Sequence, residues 1–324
     1  MQCTRLKHFR RVNDDGSIGV CGHMTGQQKF SSIEESDKWT EGLINQFTEN
    51  KWPDECIRCQ ESENVGNESI RQYSKKRHDD LVTKHPEYLI IGGVLDSYCN
   101  SACLTCKSTL SSKIAKLNNE AVLMDNYEVF KSLPQDRIIQ LDINGGEPSY
   151  SKNYQRILND PPSNLSYLRI NTNGNRVMPN LVEILNKGIH VNVTLSLDGI
   201  DEVHDYVRWP VKFTNYNNTV NLYLELRRQY SNLTLDFWTT VSCLNINNLQ
   251  KIIEYTREKE IDHSYALLHF PSCLSVKATN WITKRYNGDV EGVAIGENND
   301  QILDEYLTTQ ESMRGIARLS EFML

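Results

Sequence analysis

The 324-residue chain contains no run of about eighteen apolar residues, so it has no segment expected to cross a bilayer as a helix. The first residues, Met1-Gln2-Cys3-Thr4-Arg5-Leu6-Lys7, lack the apolar stretch of a signal peptide, and a cytoplasmic location is expected. Positive charge is also in short supply. Lys and Arg number 35 against 42 Asp and Glu, a formal net charge of −7, which gives no general attraction to nucleic acid. One basic run, Arg71 to His85, holds Arg71, Lys75, Lys76, Arg77 and Lys84, but Asp79 and Asp80 offset it and it reads as a solvated linker. The eight histidines form no H-x3-H or H-E-x2-H pattern, and there are no repeats or low-complexity segments. At 39 % apolar and 24 % charged residues, the composition is that of an ordinary globular protein.

Cysteine is what the sequence does have. Nine thiols fall in three groups: Cys3, Cys21, Cys56 and Cys59; then Cys99, Cys103 and Cys106; then Cys243 and Cys273 alone. In a reducing compartment, clustered cysteines point to metal rather than disulfides. Lone ones, such as Cys243 and Cys273, are read as small buried hydrophobes.

The chain changes character along its length. Residues 1–75 are polar and broken by glycines and Pro53, with one helical stretch around Ile33 to Phe47. So small a core needs a staple such as a metal. Residues 76–85 read as a linker. From 86 to 275, short apolar runs alternate with amphipathic stretches. Strands are expected at Tyr88–Ile91, Ile138–Ile143, Tyr167–Asn171, Val191–Leu197, Leu235–Val241 and Tyr265–Phe270. Between them Leu181/Ile184/Leu185, Val220/Tyr223/Leu224 and Leu249/Ile252/Ile253 keep helical spacing. Alternating strands and helices predict an α/β fold with a parallel sheet. Six such units are too few for a closed eight-fold barrel, so an open, partial (β/α)6 barrel is expected. Residues 276–324 read as a loop followed by a helix over Asn299–Phe322.

Cys99, Cys103 and Cys106 form C-x3-C-x2-C directly after the first of these strands. Three such thiolates can hold three irons of a [4Fe–4S] cube and leave the fourth iron open. The alternative is a structural zinc that borrows a fourth ligand, although zinc favours paired C-x2-C elements. The N-terminal cysteines read C-x12-G-x4-C from Cys3 through Gly16 to Cys21, followed by C-x2-C at Cys56 and Cys59. Four thiolates saturate either a tetrahedral zinc or a four-iron cube.

In these features the sequence resembles the radical S-adenosylmethionine (SAM) superfamily, whose signature is C-x3-C-x2-C after the first strand of a partial (β/α)6 barrel. Gly145-Gly146-Glu147-Pro148 resembles its GGEP motif, which the resemblance implies contacts the SAM amino group. Asn173 lies in a TNG-like turn, and Ser196 and Asp198 lie in an S-x-D-G element near the SAM ribose. Arg208 stands where the family often places a basic residue for the SAM carboxylate, and Val241 to Asn245 stand where adenine usually packs. Thr105 departs from the family, which often has an aromatic before the third cysteine. The N-terminal segment resembles a twitch domain, a shortened SPASM domain with one auxiliary [4Fe–4S] cluster, although in relatives it follows the barrel. Trp52 to Cys56, with Glu63, Gly66, Ser69 and Arg71, looks like twitch-bearing proteins of phage and marine bacterial genomes.

The resemblance implies one-electron cleavage of SAM at the cluster and hydrogen abstraction by a 5′-deoxyadenosyl radical. It also implies a flavodoxin- or ferredoxin-like electron donor. The expected substrate is a peptide or protein side chain, with oxidative modification favoured. The alternatives are oxidation of a small-molecule alcohol or nucleotide-type substrate, and a non-catalytic metal-stabilised binding module. The sequence singles out no general base.

Overall fold

The computed structural model describes residues 1–26, 28–121, 124–268, 270–276 and 300–319. Contacts divide the chain into two compact units. The first comprises Met1–Asp96, Met124–Gly145 and Arg156–Arg169; the second comprises Ser97–Leu123, Gly146–Gln155 and Ile170–Leu324.

The first unit opens with a short helix α1 (Thr4–His8) and the strands β1 (Phe9–Val12) and β2 (Ile18–Gly19), which pair antiparallel. Helix α2 (Ile33–Thr48) begins where the sequence places it. Ser32 caps it by accepting from the Glu35 N–H at 3.2 Å, and the Glu35 carboxylate accepts from the Ser31 N–H at 2.8 Å. Ile33, Leu43 and Phe47 form its buried stripe. Helices α3 (Ile57–Asn64) and α4 (Ile70–Lys84) follow, then β3 (Leu89–Val94), α5 (Ser112–Leu117, in the second unit), α6 (Tyr127–Ser132) and β4 (Ile138–Asn144). After α7 (Lys152–Asn159), β5 (Tyr167–Thr172) begins in this unit. The strand order is β2-β1-β3-β4-β5, and β1/β3, β3/β4 and β4/β5 are all parallel. Leu89, Ile90, Ile91, Ile138 and Leu141 are almost completely buried in it.

The second unit carries α8 (Leu181–Asn186), β6 (His190–Ser196), α9 (Glu202–Val207), α10 (Phe213–Gln229), β7 (Leu233–Val241), α11 (Leu249–Glu258), β8 (Asp262–Leu267) and α12 (Asp300–Arg314). Its strands lie in the order β6-β7-β8, parallel throughout. β7 alternates strictly, with Leu233, Leu235, Phe237, Thr239 and Val241 inward. An apolar cluster joins Leu104, Val207, Val241, Leu244, Leu303 and Leu307, so α12 packs on this core through residues one turn apart.

The expected α/β fold is therefore present. β3 to β7 lie where strands were expected and β8 overlaps the last expected one, each pair described among them is parallel, and helices intervene. Three local expectations need correction. The stretch read as a linker, 76–85, is for the most part the second half of α4. Among its described side chains the buried ones are Ser74 and His78, which are polar, so the first part of the helix shows little apolar period. The last strand runs Asp262–Leu267 rather than Tyr265–Phe270, because it pairs with β7 from Asp262 onward and its exposed residues carry no alternation. The last helix ends at Arg314, where Gly315 takes a left-handed φ of +64°. Asn299 and residues 320–322 of the expected helix lie outside the described residues, as does most of the expected loop. The boundary expected at residue 75 falls inside α4, and neither compact unit begins or ends there. Among the described residues, no helix is long and apolar enough to cross a membrane.

Candidate functional site

In the second unit the three-cysteine loop is fixed mainly through its backbone. The Ala102 N–H donates to the Trp209 carbonyl at 2.8 Å and the Leu104 N–H to the Val207 carbonyl at 2.9 Å, so the residues on either side of Cys103 are strapped to the end of α9. The Ser112 hydroxyl accepts from the Cys99 N–H at 3.1 Å and donates to the Cys99 carbonyl at 3.2 Å. The Ser111 hydroxyl donates to the Ser101 carbonyl at 2.6 Å. Burial raises all three thiol pKa values. Cys106 is pushed up to about 11, first by burial and then by the Cys103 charge, and burial likewise leads for Cys99 and Cys103. A metal taken up here must displace protons from neutral thiols.

Glu147 links the next two loops. It is 1 % exposed. Its Oε1 accepts from the Thr172 hydroxyl at 2.7 Å and from both the hydroxyl and the N–H of Ser149; its Oε2 accepts from the Asn173 N–H at 2.7 Å. Three of these donors crowd Oε1, whereas Oε2 accepts one and keeps capacity for another. The Glu147 N–H itself donates to the Tyr98 carbonyl at 2.7 Å. Gly146 is required here, because a Cβ would stand 2.1 Å from that same carbonyl oxygen. In the first unit Gly145 has φ +142°, and a Cβ there would stand 2.3 Å from the Asp96 carbonyl oxygen. Pro148 is buried. Asn173 then reaches the cysteine loop, donating through Nδ2 to Asn100 Oδ1 at 2.7 Å and to Ser101 Oγ at 2.8 Å.

Asp198 and Arg208 form a buried ion pair at 2.5 Å. The Asp198 carboxylate also accepts from the Thr240 N–H at 2.8 Å. Arg208 Nε has no hydrogen-bond partner among the described residues, nor has the hydroxyl of fully buried Tyr216. A buried donor without a partner costs about 1–3 kcal/mol, and an anionic or carbonyl group of a ligand would satisfy it. Beside them His204 is buried against the Tyr216 and Phe213 rings; burial, then the Arg208 charge, holds its pKa down to about 3 and keeps it neutral.

The structure brings together Cys99, Cys103, Cys106, Gly146, Glu147 and Asn173, and separately Asp198 with Arg208, whose charge also reaches Cys103. Ser196 ends β6 and is half-buried. Val241 ends β7 within the apolar cluster. Next to Cys99 lies an open cavity of about 430 Å³, lined by Asn100, Lys113, Lys116, Tyr150 and Asn175. Asn245, at the end of the segment expected beside adenine, donates through Nδ2 to the Asp198 and Thr240 carbonyls and accepts at Oδ1 from the Ser242 N–H. Reading motifs alone gave it no such role. It also missed Tyr306 and Arg314 of α12, which reach the cysteine loop from two hundred residues away with no motif around them. Cys243 is buried in the apolar cluster, as expected of a lone cysteine, and Cys273 packs against it.

In the first unit Cys3, Cys21, Cys56 and Cys59 all line one narrow cavity of about 20 Å³. Burial first, and then one another's charge, pushes Cys3 up to about 11 and Cys56 up to about 12. Residues Glu63, Ser69 and Arg71 meet beside Cys59. Arg71 pairs with Glu63 at 2.5 Å, and the Ser69 hydroxyl donates to Glu63 at 2.6 Å. Among the described residues, no three His, Cys, Asp or Glu donors are gathered about one point so as to hold a single metal ion.

No family model matches the chain. A segment of 111 residues, 34 % of this chain, is 29 % identical to mycofactocin maturase MftC of Mycolicibacterium smegmatis. It is 28 % identical to the protein of the same name from Mycobacterium tuberculosis. These similarities support the radical SAM superfamily. The matched segment spans only 28 % of the length of each relative. Two solved structures are also similar. Streptococcus suis SuiB bound to precursor peptide SuiA has a TM-score of 0.43 and 13 % identity, covering 99 % of this chain and 74 % of that one. Native anSMEcpe with bound AdoMet and Cp18Cys peptide has a TM-score of 0.39 and 17 % identity, covering 56 % of this chain and 52 % of that one.

Proposed function

We propose that the chain is a radical SAM enzyme that modifies a peptide or protein side chain. The observation that carries this reading is the strapped three-thiol loop at the end of β3, with Glu147 and Asn173 locking the two neighbouring loops to it. Three thiols on one loop suit three corners of a [4Fe–4S] cube. When bound, that cluster with SAM supplies a 5′-deoxyadenosyl radical able to take a hydrogen atom. The protein's part is to hold and orient. Backbone groups at Gly146 and Glu147 face the SAM amino end, Arg208 Nε offers a free donor to an anionic group, and Ser196, Asp198 and Val241 flank the nucleoside.

The four N-terminal cysteines hold a second, auxiliary [4Fe–4S] cluster in this reading. A cube takes one thiolate per corner, and the four thiols that line one cavity match that number. Its role is electron transfer to or from a substrate radical, and a flavodoxin- or ferredoxin-like protein supplies the first electron. The peptide substrate is favoured by the similarity to the maturase.

The test is iron, sulfide and zinc per chain after oxygen-free reconstitution. About eight irons and eight sulfides with little zinc support both clusters. About four irons with one zinc keep the enzyme and make the N-terminal site structural. Zinc without iron removes the reading.

A further inference from the structure

Arg314 in α12 is a buried guanidinium with no carboxylate partner among the described residues. It is 7 % exposed. Its Nε donates to the Ala102 carbonyl at 2.9 Å, and its Nη1 donates to the backbone and side-chain oxygens of Gln310 at 3.0 and 2.6 Å. All these acceptors are neutral. The nearby acid, Glu311, is already engaged by the Tyr206 hydroxyl and by Arg318. Arg208, the other buried guanidinium of this site, is neutralised by Asp198. A buried charge is costly unless an opposite charge compensates it. The bond from Arg314 to the Ala102 carbonyl sets this charge one residue before Cys103, beside the loop whose thiolates would carry a bound cluster. From the same helix, the Tyr306 hydroxyl donates to the Leu104 carbonyl at 2.9 Å. The carbonyls of residues 102 and 104, on either side of Cys103, are thus both held by α12.

We propose that α12 supplies the counter-ion and clamp of the cluster bound at Cys99, Cys103 and Cys106: Arg314 raises its reduction potential, and Tyr306 with Arg314 fixes the loop that holds it. The inference rests on the proposed cluster at this loop. A fixed positive charge stabilises the reduced, more negative cluster over the oxidised one, so removing it shifts the midpoint to more negative values. Arg314 is a positioning residue, since it reaches the cluster through the loop and through its field.

The test compares full-length wild type, Arg314→Lys, Arg314→Met and Tyr306→Phe, all reconstituted without oxygen. Midpoints are read by EPR-monitored redox titration, and cluster loss is timed against an iron chelator. Cysteine-to-alanine changes at Cys3, Cys21, Cys56 and Cys59 remove any N-terminal signal. Arg314→Met is expected to shift the midpoint negative and to lose its cluster faster. Arg314→Lys is expected to keep a midpoint near wild type, and Tyr306→Phe to lose its cluster faster with the midpoint unmoved. Wild-type midpoints in both Arg314→Met and Arg314→Lys would overturn the counter-ion role, and an unchanged loss rate in Tyr306→Phe would overturn the clamp. If Arg314→Met fails to fold, a midpoint in Arg314→Lys as negative as that of a charge-free Arg314→Gln variant overturns the charge argument. Wild type that takes up no iron at this loop sinks the proposed function itself, a distinct result.

Discussion

The Asn173 N–H donates to Glu147 Oε2 at 2.7 Å, and the Thr172 hydroxyl donates to the other oxygen of the same carboxylate at the same distance. Three further donations, two from Ser149 and one from the Asn173 side chain to Ser101, join the GGEP-like loop, the TNG-like turn and the cysteine loop. Replacing Glu147 with Ala removes the acceptor of the Asn173 N–H, the Thr172 hydroxyl and the N–H and hydroxyl of Ser149, each worth about 1–3 kcal/mol. A loss of at least about 3 kcal/mol is expected, with Glu147→Gln losing less. Urea denaturation of metal-free protein checks this, and a variant within about 0.5 kcal/mol of wild type contradicts it.

Gly146→Ala puts a methyl 2.1 Å from the Tyr98 carbonyl oxygen, so the backbone between Cys99 and Glu147 must move. The expected result is a folded protein whose SAM affinity falls at least about tenfold, a little over 1 kcal/mol. Calorimetric titration of SAM into reconstituted protein measures it; unchanged affinity contradicts the close backbone approach.

Much of this was legible in the sequence, and the reasons differ by element. β6 and β7 are continuous or strictly alternating apolar runs, which local periodicity reports directly. The cysteines of the loop are marked by spacing, because three thiols must sit on one short segment to share a cluster. α4 was hidden because the buried residues among its described side chains, Ser74 and His78, are polar and carry no hydrophobic period. Arg314 and Tyr306 were hidden because their contacts are made to backbone carbonyls, which leave no trace in the partner's sequence. Glu147 was legible as a site residue, but its work, accepting from four protein donors, was visible only once Thr172 and Ser149 were placed around it.

The Arg208–Asp198 pair is buried on both sides, so Arg208→Met leaves an unpaired carboxylate and is expected to cost about 3–5 kcal/mol. The double variant Arg208→Met with Asp198→Asn removes that charge and keeps an acceptor for the Thr240 N–H; it should recover part of the loss. Thermal or urea unfolding of the metal-free proteins decides this, and a double variant no more stable than the single one contradicts it.

The N-terminal thiols give a pH signature. Cys3 and Cys56 have pKa values raised from 9.0 to about 11 and about 12, chiefly by burial. An acid whose folded pKa lies above its unfolded value contributes its full stability below the unfolded value and loses it as pH rises toward the folded one. Metal-free protein should therefore hold its stability up to about pH 9 and lose it between about pH 9 and 12. Cys56→Ala should flatten that loss. A flat wild-type profile over the same range contradicts the shared buried cavity.

The measurement that bears most directly on the whole account is SAM turnover. Anaerobically reconstituted protein with dithionite and SAM should form 5′-deoxyadenosine and methionine in equal amounts. A variant lacking Cys99, Cys103 and Cys106 should form none, while one lacking Cys3, Cys21, Cys56 and Cys59 should still form both. Cluster-loaded wild type that leaves SAM intact, or cleavage that survives loss of the three-cysteine loop, would contradict the assignment.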